Sequence, residues 1–283
     1  MTATATAAGP DTGRAERGRA PRGWSLGRYL LPVYAVVAFV YLLTPIAYTF
    51  AFSFNDAGKS NLVWRGFTWN NWRNPCGAPA VCESVVNSLA IGILATLVST
   101  VLGTMIAIAL VRYRFRFRST TNLLLFLPMA TPEVVLGAAL LAQFLNLRVN
   151  PGFATIVIAH VMFCISFVVV TVKARVATLD PHLEEAAADL YASPRTAFWR
   201  VTFPLLLPGI GAAALLAFSL SFDDFIITNF NSGNTDTFPK FVYVSATRGI
   251  PPQANVMGSA MFAVALVVVV AGQILAARRR ARR

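Results

Sequence analysis

Long apolar runs dominate this chain and restrict it to folds that are stable in lipid. By hydropathy the runs cover residues 29–53, 85–111, 122–147, 153–172, 205–228 and 254–277. Each is long enough for a helix to cross a bilayer, which takes about 20 apolar residues. Only 13% of the 283 residues are charged, against about a quarter in a soluble domain. The expected fold class is therefore an all-α membrane protein with six transmembrane helices.

Basic residues cluster at alternate ends of these runs. They lie before the first run, after the second, between the fourth and fifth and after the sixth, which accounts for most of the 24 Lys and Arg residues. The positive-inside rule then places both termini in the cytoplasm. A net charge of +12 distributed in this way reflects topology and not a surface for nucleic acid. We expect a multi-pass protein of the cell membrane, surrounded by lipid, with no nucleic-acid partner.

The same pattern divides the chain into three segments. Residues 1–28 are rich in Ala, Thr, Gly and Arg and are expected to be a disordered, basic cytoplasmic terminus. Residues 29–277 form the transmembrane domain, with a polar cytoplasmic loop at 173–204. Residues 278–283 form a basic cytoplasmic tail.

Familiar catalytic and metal-binding motifs do not explain the chain. The tripeptide at 58–60, Gly-Lys-Ser, lacks the earlier glycine of a phosphate-binding loop. The two histidines, His160 and His182, do not form an HExxH pair or a zinc cluster. His160, in the fourth run, is expected to be a hydrogen-bonded packing residue. No catalytic residue, metal site or cofactor of its own is predicted.

The three cysteines fall into two groups. Cys76 and Cys82 lie in the predicted extracytoplasmic loop, where a disulfide can persist. Their spacing allows either a disulfide or two free thiols, because spacing does not fix geometry. Cys164 lies in the fourth run and is expected to pack there.

A compact polar segment, EEAAADLYASPRTAFWRVTFPLLLPG, separates the fourth and fifth runs at residues 184–209. An Asp-Pro pair at 180–181 predicts the start of a short helix ending near Tyr191. A Ser-Pro pair at 193–194 predicts a second helix through about Arg200. Two short helices outside the membrane are typical of a docking element, and an ordinary solvated loop is the alternative.

This segment resembles the EAA motif of ABC importer permeases, whose pattern is E-A-A-x-x-x-G, nine residues, then I-x-L-P. Glu185, Ala186 and Ala187 match its head, and Leu206, Leu207 and Pro208 match its tail region. In that family the segment is a cytoplasmic coupling helix that contacts the ATPase. The resemblance implies the type I ABC importer permease fold, with the coupling helix between the fourth and fifth spans. The ATPase-coupling residues that it implies are Glu185, Ala186, Ala187, Asp189, Leu190, Tyr191, Ala192, Ser193 and Pro194.

One position departs from the family pattern. Tyr191 stands where the motif has glycine. Glycine adopts a left-handed turn at low cost, whereas tyrosine there is strained. Either the turn is made differently, or the aromatic ring is itself used against the ATPase.

The chain is similar, more narrowly, to the second permease subunit of spermidine/putrescine importers. The matching stretches are LPMATPEVVLGAALL, IAHVMFCISFVVVTVKARVATLDPHLEEAA and SFDDFIITNF, with Ser166 where that group tends to have proline. The resemblance implies polyamine import together with an ABC ATPase dimer that binds ATP and Mg, a second permease and an extracytoplasmic solute-binding protein. Two alternatives remain open: the same role for ferric iron, thiamine or phosphonate, and an ion-coupled secondary carrier.

Three acidic residues within the runs are candidates for a substrate pathway. A carboxylate near the bilayer centre costs about 2.5 to 3.5 kcal/mol on insertion scales, so it needs a reason to be there. Glu133 lies about a dozen residues into the third run, beside two prolines that disturb the helix. Asp223 and Asp224 lie late in the fifth run, and adjacent helical positions point about 100° apart. We expect one aspartate to meet a cavity and the other to cap or pair elsewhere.

Overall fold

The computed structural model describes residues 27–57, 61–180 and 182–281, and these residues are helical apart from their connections. The helices are α1 Gly27–Phe52, α2 Asn70–Arg73, α3 Val81–Arg112, α4 Arg118–Ala130, α5 Glu133–Asn146, α6 Phe153–Ala177, α7 His182–Asp189, α8 Pro194–Ala197, α9 Phe203–Asp223, α10 Ile226–Asn231, α11 Phe238–Arg248 and α12 Pro252–Ala281. A π-turn, Phe198–Thr202, joins α8 to α9. The only β pairing in these ranges is an isolated bridge between Asn55 and Phe67. The all-α fold class is confirmed.

Several features predicted from the sequence lie wholly or partly outside the described residues. The basic terminus at 1–28 lies outside the described residues except at its last two positions, which begin α1. The Gly-Lys-Ser tripeptide at 58–60 and Pro181 also lie outside them. Of the predicted tail at 278–283, the part through Ala281 continues α12 as helix.

The chain divides into two units, the first ending at Tyr48. The described part of this first unit is the helix from Gly27 onward, and nearly all of its side chains are exposed. Thr44 is satisfied locally, since its hydroxyl donates to the Val40 carbonyl at 2.7 Å. An apolar helix with satisfied backbone and exposed side chains is suited to lipid.

The second unit, from Thr49 onward, is built around α3, α6 and α9, which pack against one another. Their buried faces carry small and β-branched side chains, including Ala107, Val168, Val172, Ala213 and Ala217. Close approach through small residues replaces the hydrophobic driving force that helices lose in lipid. These three helices form the frame that holds the candidate site.

Five helices in the described ranges are long and apolar enough to cross a membrane, and a sixth span is completed only by a bent pair. The pair is α4 and α5, which meet at an angle of 108°. The third run, 122–147, is therefore a broken span, which agrees with the expectation that its prolines disturb the helix. The cause is local, because Pro132 disfavours helical backbone at Thr131, whose ψ is 133°.

The fifth span also differs from the predicted 205–228. Helical backbone runs without a break from Pro194, the start of α8, through the π-turn to Asp223. The Phe203 N–H donates to the Phe198 carbonyl, five residues back, and the next residue is Pro204, which has no N–H to donate. The span then ends at Asp223, and α10 restarts the helix three residues later. Both observed boundaries of the span, Pro194 and Asp223, therefore lie closer to the N-terminus than the predicted ones.

The loop between α1 and α3 is held by buried polar groups and a crosslink. Cys76 and Cys82 form a disulfide, with Cα atoms 5.3 Å apart, so the first of the two open alternatives is the one observed. Asn55 is fully buried, and its amide donates to Asn61 Oδ1 at 2.7 Å. Cys164 is a buried free thiol in α6, as expected.

Candidate functional site

All three predicted acidic residues lie where a span is interrupted. Glu133 is the first residue of α5, directly after Pro132, and its side chain is exposed. Asp223 is the last residue of α9 and is also exposed, whereas Asp224 is buried. The expectation that the two aspartates face different surroundings is confirmed.

Helices α5 and α10 hold the two interruptions side by side. Asn231 Nδ2 in α10 donates to the Gly137 carbonyl in α5 at 3.2 Å. Gly137 permits this approach, because a Cβ there would lie 2.9 Å from Phe230 Cδ2. Glu133 begins α5, and the two aspartates directly precede α10, which is hydrogen-bonded to α5. The structure therefore brings the three sequence-predicted carboxylates into one region.

Asp223 lines a depression of about 610 Å³ between the end of α9 and α11. Its other walls are mostly aromatic, and Phe225 stacks on Tyr243 with ring centroids 4.3 Å apart. A carboxylate next to aromatic faces can bind an alkylammonium group, because both attract a desolvated cation. The lining of the depression itself is almost wholly apolar, with Asp223 at its edge.

Asp224 is engaged within the protein. Its carboxylate accepts hydrogen bonds from the backbone N–H of Thr228 at 2.8 Å and of Ile227 at 3.3 Å. It also lies 3.2 Å from Nε2 of His160, which is buried. His160 is hydrogen-bonded within the helix packing, as the sequence predicted. The predicted pathway role of Asp224 is not tested by this contact and stays a prediction.

The polar loop begins and turns as its sequence predicts. Asp180 Oδ1 accepts from the His182 backbone N–H at 3.0 Å at the start of α7. The Ser193 hydroxyl accepts from the Thr196 N–H at the start of α8, with Pro194 at the first helical position. Between them α7 ends at Asp189, two residues earlier than predicted.

Tyr191 makes the turn in the conformation that glycine would adopt. Its φ is +58°, and it is the residue of the loop in left-handed backbone. The N–H of Tyr191 donates to the Ala188 carbonyl and that of Ala192 to the Ala187 carbonyl, which is the Schellman pattern of a helix end. The turn is therefore not made differently from the family pattern. The tyrosine side chain is 99% exposed and projects from the loop.

Glu184 anchors the loop to the transmembrane frame. Its Oε2 accepts from Arg112 Nη1, at the end of α3, at 2.8 Å. Its Oε1 accepts from the Thr202 hydroxyl, in the π-turn, at 2.6 Å. One carboxylate thus ties α7 to both α3 and the start of the fifth span.

Glu185, which the motif identified, faces the other way. Its Oε2 accepts from His182 Nδ1 at 2.8 Å, and both side chains are exposed. This hydrogen bond, with the negative charges of Glu185 and Asp180, raises the pKa of His182. The paired imidazolium is therefore favoured below the pKa of a free histidine and is lost as pH rises through the raised value. Because the pair is exposed, it contributes little to stability.

Some partners in this site were not identified from the sequence. No contact between Arg112, Glu184 and Thr202 was predicted. The sequence did contain a signal for Glu184. Adjacent residues of a helix point about 100° apart, so Glu184 and Glu185 were bound to face different surroundings. Among the described residues, no group of three or more His, Cys, Asp or Glu side chains could hold a metal ion.

Comparisons with known proteins identify relatives that match most of this chain. The family described as binding-protein-dependent transport system inner membrane component matches residues 99–281. The spermidine/putrescine transport system permease protein PotC of Haemophilus influenzae is 32% identical over 248 residues, which cover 87% of this chain and 96% of that protein. The putrescine transport system permease protein PotI of Escherichia coli K12 is 33% identical over 259 residues, covering 88% and 92%.

Among solved structures, the fold is similar to a bacterial alginate ABC transporter crystallised in complex with an alginate pentasaccharide-bound periplasmic protein. The TM-score is 0.65 at 15% sequence identity, covering 88% of this chain and 92% of that chain. This similarity supports the type I permease fold. The chain belongs to the family of binding-protein-dependent transport system inner membrane components.

Proposed function

We propose that this chain is the permease subunit of an ABC importer that carries polyamines into the cytoplasm. The observation that carries the proposal is the placement of three carboxylates at two adjacent interrupted spans, with an aromatic depression beside Asp223. Polyamines carry separated ammonium groups, and each needs an anionic or aromatic partner when water is removed. The relatives named for spermidine/putrescine and putrescine transport support the same cargo.

The energy source in this proposal is ATP hydrolysed by a partner, with ATP and Mg bound there and not by this chain. The partners are an ABC ATPase dimer, a second permease subunit and an extracytoplasmic binding protein. The family description and the solved neighbour with its periplasmic protein support this assembly. The distribution of Lys and Arg supports cytoplasmic placement of both termini and of the polar loop.

The coupling contact in this proposal is made by the loop from Glu185 to Pro194. Leu190 and Tyr191 project from its tip, 82% and 99% exposed. Large apolar side chains so fully exposed at a tight turn suggest burial against a partner, where a few residues, often tyrosine, carry most of the binding energy. Glu184 supplies the mechanical connection behind the tip.

Replacing Tyr191 with glycine tests the role of the ring separately from that of the turn. Glycine relieves left-handed strain of about 1 kcal/mol but removes the aromatic side chain. We expect uptake by the reconstituted complex to fall roughly fivefold, with a similar loss in Tyr191→Ala, because both variants lack the ring. The measurement is the ratio of polyamine taken up to ATP hydrolysed. Full coupling in Tyr191→Gly would show that tyrosine is only a tolerated substitute for glycine.

Replacing Glu133 with glutamine tests the proposed pathway. Charged hydrogen bonds contribute about 1.5 to 3 kcal/mol, so we expect the KM for polyamine uptake to rise about tenfold to a hundredfold. Initial uptake rates in proteoliposomes that contain the complete importer give this value. The side chains are nearly isosteric, so assembly with the ATPase is expected to be unchanged.

Glu83→Gln provides the matched control, since Glu83 is an exposed carboxylate in the first turn of α3 and is not one of the three. Unchanged kinetics in Glu133→Gln would remove Glu133 from the pathway. Uptake of polyamine by the purified chain alone, driven by a proton gradient without ATP, would overturn the importer and favour the ion-coupled carrier.

A further inference from the structure

A buried polar cluster lies where the fifth span is interrupted. His160 Nδ1 is 2.7 Å from the Ser221 hydroxyl, and Nε2 is 3.0 Å from the Thr228 hydroxyl and 3.2 Å from Asp224 Oδ2. Each of these four residues is at least nine-tenths buried. A proton on Nε2 can be donated to Asp224 while the Ser221 hydroxyl donates to Nδ1, so both ring nitrogens are used.

This cluster joins three separate elements. His160 belongs to α6, an unbroken helix, whereas Ser221 lies in the last turn of α9. Asp224 lies in the break and Thr228 in α10, and Asp224 also accepts from two backbone N–H groups at the start of α10. The imidazole therefore fixes how α10 leaves the end of α9, with α6 as the rigid support.

The contacts of His160 also affect the interruption between α4 and α5. Helix α10 is hydrogen-bonded to α5 through Asn231, and α5 begins at Glu133. Asp223 directly precedes the break that His160 holds. The relative positions of Glu133 and Asp223 thus depend on a contact that neither of them makes.

We propose that His160 is a positioning residue for transport, which sets the spacing of Glu133 and Asp223 by holding the α9–α10 break against α6. This inference rests on the proposed function for its transport readout. An apolar side chain at position 160 can fill the space but leaves the Ser221 hydroxyl and the Asp224 carboxylate without the imidazole. Buried polar groups without partners are costly in a low-dielectric interior, so the break is expected to move to find others.

The test uses the complete importer in proteoliposomes, with labelled putrescine and spermidine as probes. His160→Leu is expected to raise the KM for uptake roughly tenfold or more, since misplacement of a binding group by about 1 Å can cost a hundredfold. His160→Gln keeps a donor and an acceptor and is expected to restore KM to within about threefold of the wild type. Cys164→Ala is the matched control, because Cys164 is buried one turn along α6 and contacts α9 outside the cluster. Its KM is expected to match that of the wild type.

Wild-type kinetics in His160→Leu would overturn the proposal, as would a defect in His160→Gln equal to that in His160→Leu. If His160→Leu does not assemble with the ATPase, Ser221→Ala is measured instead. It removes only the Nδ1 partner and is expected to raise KM by a smaller factor, about threefold. An unchanged KM in an assembled Ser221→Ala complex would count against the proposal.

A distance measurement separates this inference from the choice of cargo. Spin labels are attached to the cysteines of a Val134→Cys, Leu215→Cys variant in the Cys164→Ala background. Val134 and Leu215 are exposed positions on α5 and α9. His160→Leu is expected to broaden the distance distribution between them, and His160→Gln to leave it narrow. A broadened distribution in an importer that carries no polyamine would retain the positioning role and reject the proposed cargo. An unchanged distribution would reject the positioning role whatever the cargo.

Discussion

Replacing Glu184 with alanine is expected to uncouple ATP hydrolysis from transport. The carboxylate of Glu184 is the connection between α7, the end of α3 at Arg112 and the π-turn at Thr202. In the proposed complex, the loop can still meet the ATPase without this carboxylate, but movement of the loop is no longer passed to two spans together. Coupling free energies of about 1 to 3 kcal/mol correspond to roughly 5-fold to 150-fold. We expect at least a tenfold fall in polyamine taken up per ATP hydrolysed.

The comparison with Glu185→Ala makes this test specific. Glu185 is one residue away, carries the same charge and contacts only the exposed His182 among the hydrogen bonds described for it. Its loss is expected to affect binding of the ATPase without loosening the loop from α3. A double-mutant cycle of Glu184→Ala with Arg112→Ala measures the contribution of this ion pair to coupling. The two substitutions are expected to have non-additive effects on the polyamine taken up per ATP hydrolysed. Full coupling in Glu184→Ala, or simple additivity in the cycle, would contradict the anchoring role.

Hydropathy predicted the number of spans because lipid leaves few alternatives to a helix. It did not predict which prolines would break one. Pro132 ends α4 and turns the chain by 108°, whereas Pro204 and Pro208 remain inside helical backbone. The π-turn adjusts the backbone pairing just before Pro204. A proline is tolerated where the surroundings satisfy the carbonyls around it, and those surroundings are tertiary.

Near Pro208 those surroundings include a side chain from another helix. Arg175 in α6 donates through Nε and Nη2 to the Leu205 carbonyl at 3.1 and 2.9 Å. Gly209 makes room for it, because a Cβ there would lie 2.6 Å from Arg175 Cγ. In the sequence, Arg175 is one of the basic residues between the fourth and fifth runs. Its contact depends on how α6 and α9 pack, which residue order alone does not determine.

In the candidate site, too, some features depend on neighbours in the chain and others on how the helices pack. Local chemistry identified the acidic residues, the Ser193 cap and the left-handed position of Tyr191, because each depends on neighbours in the chain. The anchoring role of Glu184 depends on the helix phase that points it, and not Glu185, toward Arg112. His160 was correctly predicted to be hydrogen-bonded, but its partners lie 61 to 68 residues away in the sequence. Such pairs become visible only when the helices are packed.

Replacing Gly103 with leucine is expected to disrupt the helical frame itself. Even a Cβ at Gly103 would lie 2.6 Å from Val168 Cγ1 and 2.8 Å from Val168 Cβ, across the contact between α3 and α6. Both helices would have to separate, which removes the close packing that holds them together in lipid. Overpacking typically costs about 1 to 3 kcal/mol, and a full leucine is expected to reach the upper part of that range or exceed it. The unfolding midpoint of the purified chain in detergent, followed by intrinsic tryptophan fluorescence, is expected to fall by several degrees.

Gly211→Leu is the control that isolates this contact. Gly211 lies in the apolar helix α9, and a Cβ built there meets no described atom within 4 Å outside its chain neighbours and its own helix backbone. The same glycine-to-leucine change therefore alters helix propensity and apolar volume at both sites but creates a steric conflict only at Gly103. We expect the Gly211→Leu midpoint to remain at or above that of the wild type, since leucine favours helix over glycine by about 1 kcal/mol. Equal midpoints for the two variants would mean that the approach of Gly103 to Val168 does not limit the packing of α3 on α6.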